Sequence, residues 1–282
     1  MNKPSIMLSM LTVMLISGCG EKSRDMSMLK QQGIAAYEAK NFMQAINLCR
    51  EGLKAEPSDR DFLYYLGVSY AEMDLFDSAM VYIRRAKVLY PRDRDINKQL
   101  VQLCPRFKDY DCALRAIAVL IATGDNEKMY WPQLADLNYR VGNLILAVQY
   151  YKLALADNPK IANYYLYLSV ALGRLGKYDE AIKYLEQSIE RFGPNEESYA
   201  NMGTMYINLR RFDKAEECFR SSLALNPDNI SIWINLANIL TMSDDREKKL
   251  EGLEIYKKYR AQTPAMYNLD SLIPALESEL GL

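Results

Sequence analysis

Glu196–Asn229 reads EESYANMGTMYINLRRFDKAEECFRSSLALNPDN. Its anchors are Tyr199, Met202, Gly203 and Tyr206, then Ala215 and Phe219, then Pro227. This is the pattern of two short amphipathic helices joined by a turn, each marginal alone in water. A unit of 34 residues cannot bury its own apolar face, so the rest of the chain must supply stackable copies.

It does so in strict register. Steps of 34 residues give starts at 26, 60, 94, 128, 162, 196 and 230, with no insertion up to about residue 242. A small residue recurs in the second helix as Ala45, Ala79, Ala113, Ala147, Ala181 and Ala215. Its partner in the first helix is Gly33, Gly67, Val101, Ala135, Ser169, Gly203 and Ala237. Small residues at both places let the two helices approach closely. An apolar, mostly aromatic residue opens the second helix at Phe42, Phe76, Tyr110, Leu144, Tyr178 and Phe212. Pro57, Pro91, Pro159 and Pro227 end repeats, with Gly193-Pro194 doing so one residue later, because proline cannot continue a helix.

The anchors follow W-x2-L-G-x2-Y, A-x3-F and P, with Tyr for Trp and Met for Leu. From Met26 to about Pro264 the chain resembles the tetratricopeptide-repeat (TPR) family. The resemblance implies an all-α, right-handed superhelical solenoid making nearly one superhelical turn, with a concave face formed by the first helices. Seven repeats are expected: 26–59, 60–93, 94–127, 128–161, 162–195, 196–229 and 230–265. The last has a stretched turn, and an insertion of two residues is expected to place Gly252 at the small position, Tyr256 at the aromatic one and Pro264 at the end. Leu269, Leu272, Ile273, Leu276 and Leu280 predict a capping helix within 266–282 that covers the end of the stack.

Repeat 94–127 is the weakest copy. Asn97 replaces an aromatic, Asp125 replaces a proline, and Pro105 should end or kink the first helix. Cys104 and Cys112 flank its turn. They are expected as buried or half-buried thiols, with a bridge as the alternative. Cys49 and Cys218 are five repeats apart and should not meet.

Lys3, the apolar run Ile6–Ile16 and Ser17-Gly18 make an export signal too short to span a bilayer. Ile16-Ser17-Gly18-Cys19 resembles the bacterial lipobox. That resemblance implies a signal peptide over 1–18, acylation of Cys19 and a short polar tether over 19–25. Gly20 after the cysteine resembles enteric lipoproteins that are not retained in the inner membrane. A lipid-anchored place in the cell envelope follows as the expectation, at the outer membrane facing the periplasm in a Gram-negative host.

Composition narrows the chemistry. The formal charge of −1 leaves no basic field for nucleic acid. There is no histidine, which removes the commonest general base and metal ligand. Phosphate-binding, nucleophile-elbow and zinc motifs are absent, and Glu196-Glu197 and Glu216-Glu217 read as solvated surface. No enzyme activity, cofactor or metal is expected.

Binding is expected in the concave groove. In the family, positions 2, 5, 6, 9, 12 and 13 of each repeat point into it. Position 6 is Gln31, Tyr65, Gln99, Gln133, Tyr167, Asn201 and Asn235, all able to hydrogen-bond the backbone of an extended peptide. Ile34, Tyr37, Tyr64, Val68, Tyr139, Leu166, Val170, Ile207 and Ile234 add an apolar and aromatic lining. Arg106, Arg140 and Arg174 at position 13 offer partners for acidic groups. The carboxylate clamp of chaperone-binding relatives is not reproduced: Lys30 stands at its lysine, but Ile34 replaces its asparagine. The expected function is a membrane-anchored scaffold or assembly factor holding a protein or peptide segment, similar in layout to pilus and secretin assembly lipoproteins. The alternative is a regulatory adaptor of an envelope enzyme such as a peptidoglycan hydrolase or synthase.

Overall fold

The computed structural model describes residues 25–262 and 268–282. Cys19, the segment 1–18 and Pro264 lie outside the described residues. Among the described residues the chain is all-α with short 3-10 turns and no strand, and no helix is long and apolar enough to cross a membrane. It divides into two compact units, 25–130 and 131–282.

The first unit holds α1 (25–38), α2 (Phe42–Ala55), α3 (Arg60–Glu72), α4 (Phe76–Leu89), α5 (Arg94–Leu103) and α6 (Tyr110–Ala122). The second holds α7 (Trp131–Arg140), α8 (Leu144–Asp157), α9 (Ala162–Arg174), α10 (Tyr178–Phe192), α11 (Glu196–Asn208), α12 (Phe212–Leu225), α13 (Ile230–Thr241), α14 (Arg246–Tyr259) and α15 (Leu269–Leu280). Within each unit successive helices pack antiparallel as a solenoid of pairs. Every second helix from α2 to α12 begins on the residue that the periodicity marked, from Phe42 to Phe212.

The turn between paired helices is fixed by one residue in the left-handed region, recurring every 34 residues: Lys40, Asp74, Lys108, Gly142, Gly176 and Arg210. Glycine takes this conformation without strain at Gly142 and Gly176. The six recurring alanines are fully buried, as close helix approach requires. Gly67 and Gly252 show how little room remains. A Cβ on Gly67 would stand 2.7 Å from Ile83, and one on Gly252 would stand 2.6 Å from Thr241. Gly252 follows Ala215 by 37 residues, three more than the period, a correction to the expected insertion of two.

Between repeats, polar side chains close the helix ends. Asp59, Asp93, Asn195 and Asn229 cap α3, α5, α11 and α13 by accepting from backbone N–H groups, which satisfies donors that a helix start leaves open. The carbonyls of the repeat-ending prolines are met as well. Pro91 O accepts from Lys87 Nζ at 2.6 Å, Pro159 O from Arg191 Nη1 at 2.8 Å and Pro227 O from Trp233 Nε1 at 2.8 Å.

The weak repeat departs from expectation in an orderly way. α5 stops at Leu103 and the chain continues as a 3-10 turn over Cys104–Phe107 around Pro105. This brings Cys104 and Cys112 to a Cα separation of 5.9 Å, and they are bridged, a correction to the expected pair of thiols. Cys49 and Cys218 are buried and free. Asn97 is fully buried where an aromatic was expected. Its amide donates to Pro91 O and Asp93 O and accepts from Lys87 Nζ at 2.6 Å, so the site is filled by hydrogen bonds instead of a ring. In the last helix Leu269, Ile273 and Leu276 are buried while Leu272 is exposed.

Candidate functional site

Three successive first helices of the second unit, α7, α9 and α11, border a groove of about 880 Å³. α7 follows a 3-10 turn over Glu127–Tyr130 and carries Pro132 in its first turn, where the missing N–H costs no helical bond. From α7 come Asp136, Tyr139 and Arg140. α9 supplies Tyr164, Leu166, Tyr167 and Val170 between the two walls, and α11 supplies Glu196, Glu197, Ala200 and Asn201. Tyr151 reaches the groove from α8, although its ring belongs to the core at 3% exposure.

The polar groups are ordered. Arg140 Nε donates to Asp136 Oδ2 at 2.8 Å. The Arg174 guanidinium lies over the Tyr139 ring, 4.8 Å from its centroid, a cation–π contact. The Tyr151 and Tyr167 rings are tilted at 6.1 Å. Burial first, and then the Asp136 charge, push the Tyr151 phenol well above its ordinary value, so it stays neutral and able to donate at pH 7. Asn201 Nδ2 donates to Glu197 O at 2.9 Å, and Asn229 Nδ2 donates to Glu196 Oε1 at 2.6 Å.

Of the expected binding residues, the groove brings together Tyr139, Arg140, Tyr167 and Asn201, with Leu166 and Val170. Gln133 is exposed on α7 and Asn235 half-buried on α13, and neither lines it. In the first unit Gln31 is exposed on α1. Tyr65 lies edge-on to Tyr37 at 5.4 Å and to Tyr64 at 5.2 Å. Gln99 bonds the Tyr64 phenol, which burial and then Asp95 push up to about 12. Val68 and Ile234 are core residues at 1% exposure, a correction to their expected place in the groove. The position-13 arginines already have intramolecular partners: Arg106 stands 4.0 Å over the Phe76 ring, Arg140 pairs with Asp136 and Arg174 covers Tyr139. Lys30 is likewise engaged, 2.6 Å from Asp59 and 3.6 Å from Asp61. That leaves it poorly placed to clamp a peptide carboxylate.

The residues missed from sequence include Tyr164, Tyr151, Asp136, Asn229 and the Glu196-Glu197 pair. Glu197 occupies position 2, so its signal was present. Tyr151 was hidden because its position, shared with Phe219, reads as core. Among the described residues, Cys104, Asp109 and Cys112 gather as potential metal ligands, but the bridge occupies both sulfurs, leaving no thiolate to bind an ion.

A tetratricopeptide-repeat model matches residues 196–229, and a second of the same description matches 30–94 and 133–197, together more than half the chain. An Hsp70-Hsp90 organizing protein from Triticum aestivum is 24% identical over 276 residues, covering 80% of this chain and 47% of the relative. The chain thus spans about half the length of that relative. A tetratricopeptide repeat protein from Parabacteroides merdae ATCC 43184 shares the fold with a TM-score of 0.55 and 14% identity, over 90% of this chain and 99% of the other. YrrB, described as a TPR protein with an unusual peptide-binding site, has a TM-score of 0.54 and 15% identity, over 65% and 95%. The chain belongs to the tetratricopeptide-repeat family.

Proposed function

We propose that this chain is a lipid-anchored scaffold of the bacterial cell envelope that holds an extended segment of a partner protein in the α7–α9–α11 groove. The groove itself carries the reading: a concave, tyrosine-lined space of about 880 Å³ with a few placed polar groups is the usual form of a recognition site. Tyrosine offers broad, rigid contact area with a polar tip. The lipobox-like Ile16-Ser17-Gly18-Cys19 supports the anchor. A bridged Cys104–Cys112 pair fits an oxidising compartment outside the cytoplasm. Outer-membrane residence facing the periplasm is the placement that Gly20 favours in a Gram-negative host.

Native electrophoresis of detergent-solubilised membranes tests the scaffold. The tagged chain should migrate in a larger assembly, and the Tyr167→Ala variant should run as the free chain while melting normally. Unchanged migration of that variant would defeat the reading. Cys19→Ser should move the chain to the soluble fraction, and retention in membranes would defeat the anchor.

A further inference from the structure

We infer that the segment held in this groove is basic and apolar: an extended peptide that places a lysine or arginine against the α11 wall and aliphatic or prolyl side chains on α9. The inference rests on the proposed peptide-binding role of the groove and adds the chemistry of its occupant.

Charge is distributed unevenly across the site. On the α7 side Asp136 is neutralised by Arg140 at 2.8 Å, and Arg174 covers Tyr139. On the α11 side stand Glu196 and Glu197, and among the described residues neither α9 nor α11 adds a lysine or arginine to the lining. The Glu196 carboxylate accepts from a neutral amide, that of Asn229, and has no ion-pair partner among the described residues. Glu197 is exposed and has no ion-pair partner among the described residues. The lining thus holds three carboxylates against one guanidinium.

Hydrogen-bonding polarity points the same way. Asn201 spends an amide hydrogen on Glu197 O and Asn229 spends one on Glu196. The Glu196 and Glu197 carboxylates are then the charged acceptors on the α11 side, which favours a ligand that brings donors. Tyr167, 47% exposed, offers a ring face beside this wall, and tyrosine faces attract ammonium and guanidinium groups. Between the walls, Leu166 and Val170 suit aliphatic or prolyl groups. An acidic peptide would meet unpaired carboxylates, since the nearby arginines are engaged.

Fluorescence anisotropy on the full chain in detergent micelles tests this. The probes are end-capped nonapeptides of repeated Lys-Pro-Leu, Gln-Pro-Leu or Glu-Pro-Leu triplets. The lysine peptide should bind about five-fold tighter than the glutamine peptide at low salt, the scale of an exposed ion pair plus a cation–π contact. The glutamate peptide should bind weakest, and the lysine preference should shrink as salt screens it. In Glu197→Gln, with melting unchanged, the lysine-to-glutamine ratio should fall towards one. A glutamate peptide that binds as tightly as the lysine peptide overturns the charge inference, as does a lysine preference undiminished by Glu197→Gln. If all three peptides bind equally and Tyr167→Ala weakens all of them, the groove reading stands and only its chemistry fails. If they bind and Tyr167→Ala changes nothing, the groove reading itself fails. Absence of binding by every probe overturns the charge inference, while native electrophoresis still decides the groove.

Discussion

Gly203 on α11 lies flat against the ring of Phe219 on α12. A Cβ added to Gly203 would stand 2.6 Å from Cε1 of that ring, which is fully buried. Both residues are anchors of the repeat pattern, and the same two positions face each other where Gly33 meets Cys49 and Gly67 meets Ile83. Gly203→Ala gains about 1 kcal/mol of helix propensity but forces a packed ring to move, typically about 1–3 kcal/mol. The expected result is a lower melting temperature. Gly173→Ala is the control. There the added Cβ meets only the end of the Met205 side chain, at 3.1 Å. That chain end can yield, so the melting temperature should hold or rise.

Asn97 sets pattern against structure. Periodicity alone would make Asn97→Leu stabilising, because an apolar residue belongs at that place. The buried amide instead joins Lys87 Nζ, Pro91 O and Asp93 O. Removing it strands these groups, at about 1–3 kcal/mol. Denaturant unfolding of Asn97→Leu should therefore show a loss; a gain would refute the assigned hydrogen bonds.

The cysteines divide into two classes. Non-reducing mass spectrometry should find Cys104 and Cys112 joined, and Cys104→Ser with Cys112→Ser should cost about 2–3 kcal/mol by loop entropy. Burial pushes the Cys49 thiol up to about 12 and the Cys218 thiol up to about 11. Both stay protonated at neutral pH, so a maleimide should label them only after unfolding.

Acid should weaken the first unit through its cap aspartates. Burial alone would raise the Asp59 carboxyl, but the Lys30 ammonium and the N–H groups of Phe62 and Asp61 outweigh it and hold the group below its ordinary value. Asp93 is depressed in the same way, burial being outweighed by Arg60 and the N–H of Ile96. A depressed carboxylate contributes stability above its unfolded pKa, and that contribution fades as pH falls through the folded one. Melting temperatures should fall below about pH 4, where carboxylates ordinarily titrate. Asp59→Asn and Asp93→Asn should lower the neutral-pH value and flatten that decline.

Much of the fold was legible because packing repeats. The alanine column, the residue opening each second helix and the glycine at 203 all answer to one spacing. Asn97 and the cap aspartates were harder to read, since their roles depend on backbone groups that no side-chain pattern records. The binding site was legible only in part. Tyr139, Tyr167 and Asn201 followed from position in the repeat. Val68 and Ile234 did not, because the same position is covered by neighbours in one repeat and open in another. The Glu196-Glu197 pair looked like solvated surface until the α9 tyrosines were placed beside it.

The most direct test of the groove is photo-crosslinking in cells from a benzophenone side chain at Tyr167, compared with one at Ile145. Ile145 is 67% exposed on α8 and lies outside the groove. The account predicts a covalent adduct with a partner protein from Tyr167 and none from Ile145, with the adduct mapping to one extended segment of that partner. Adducts from Ile145 alone, or from neither position, would contradict it.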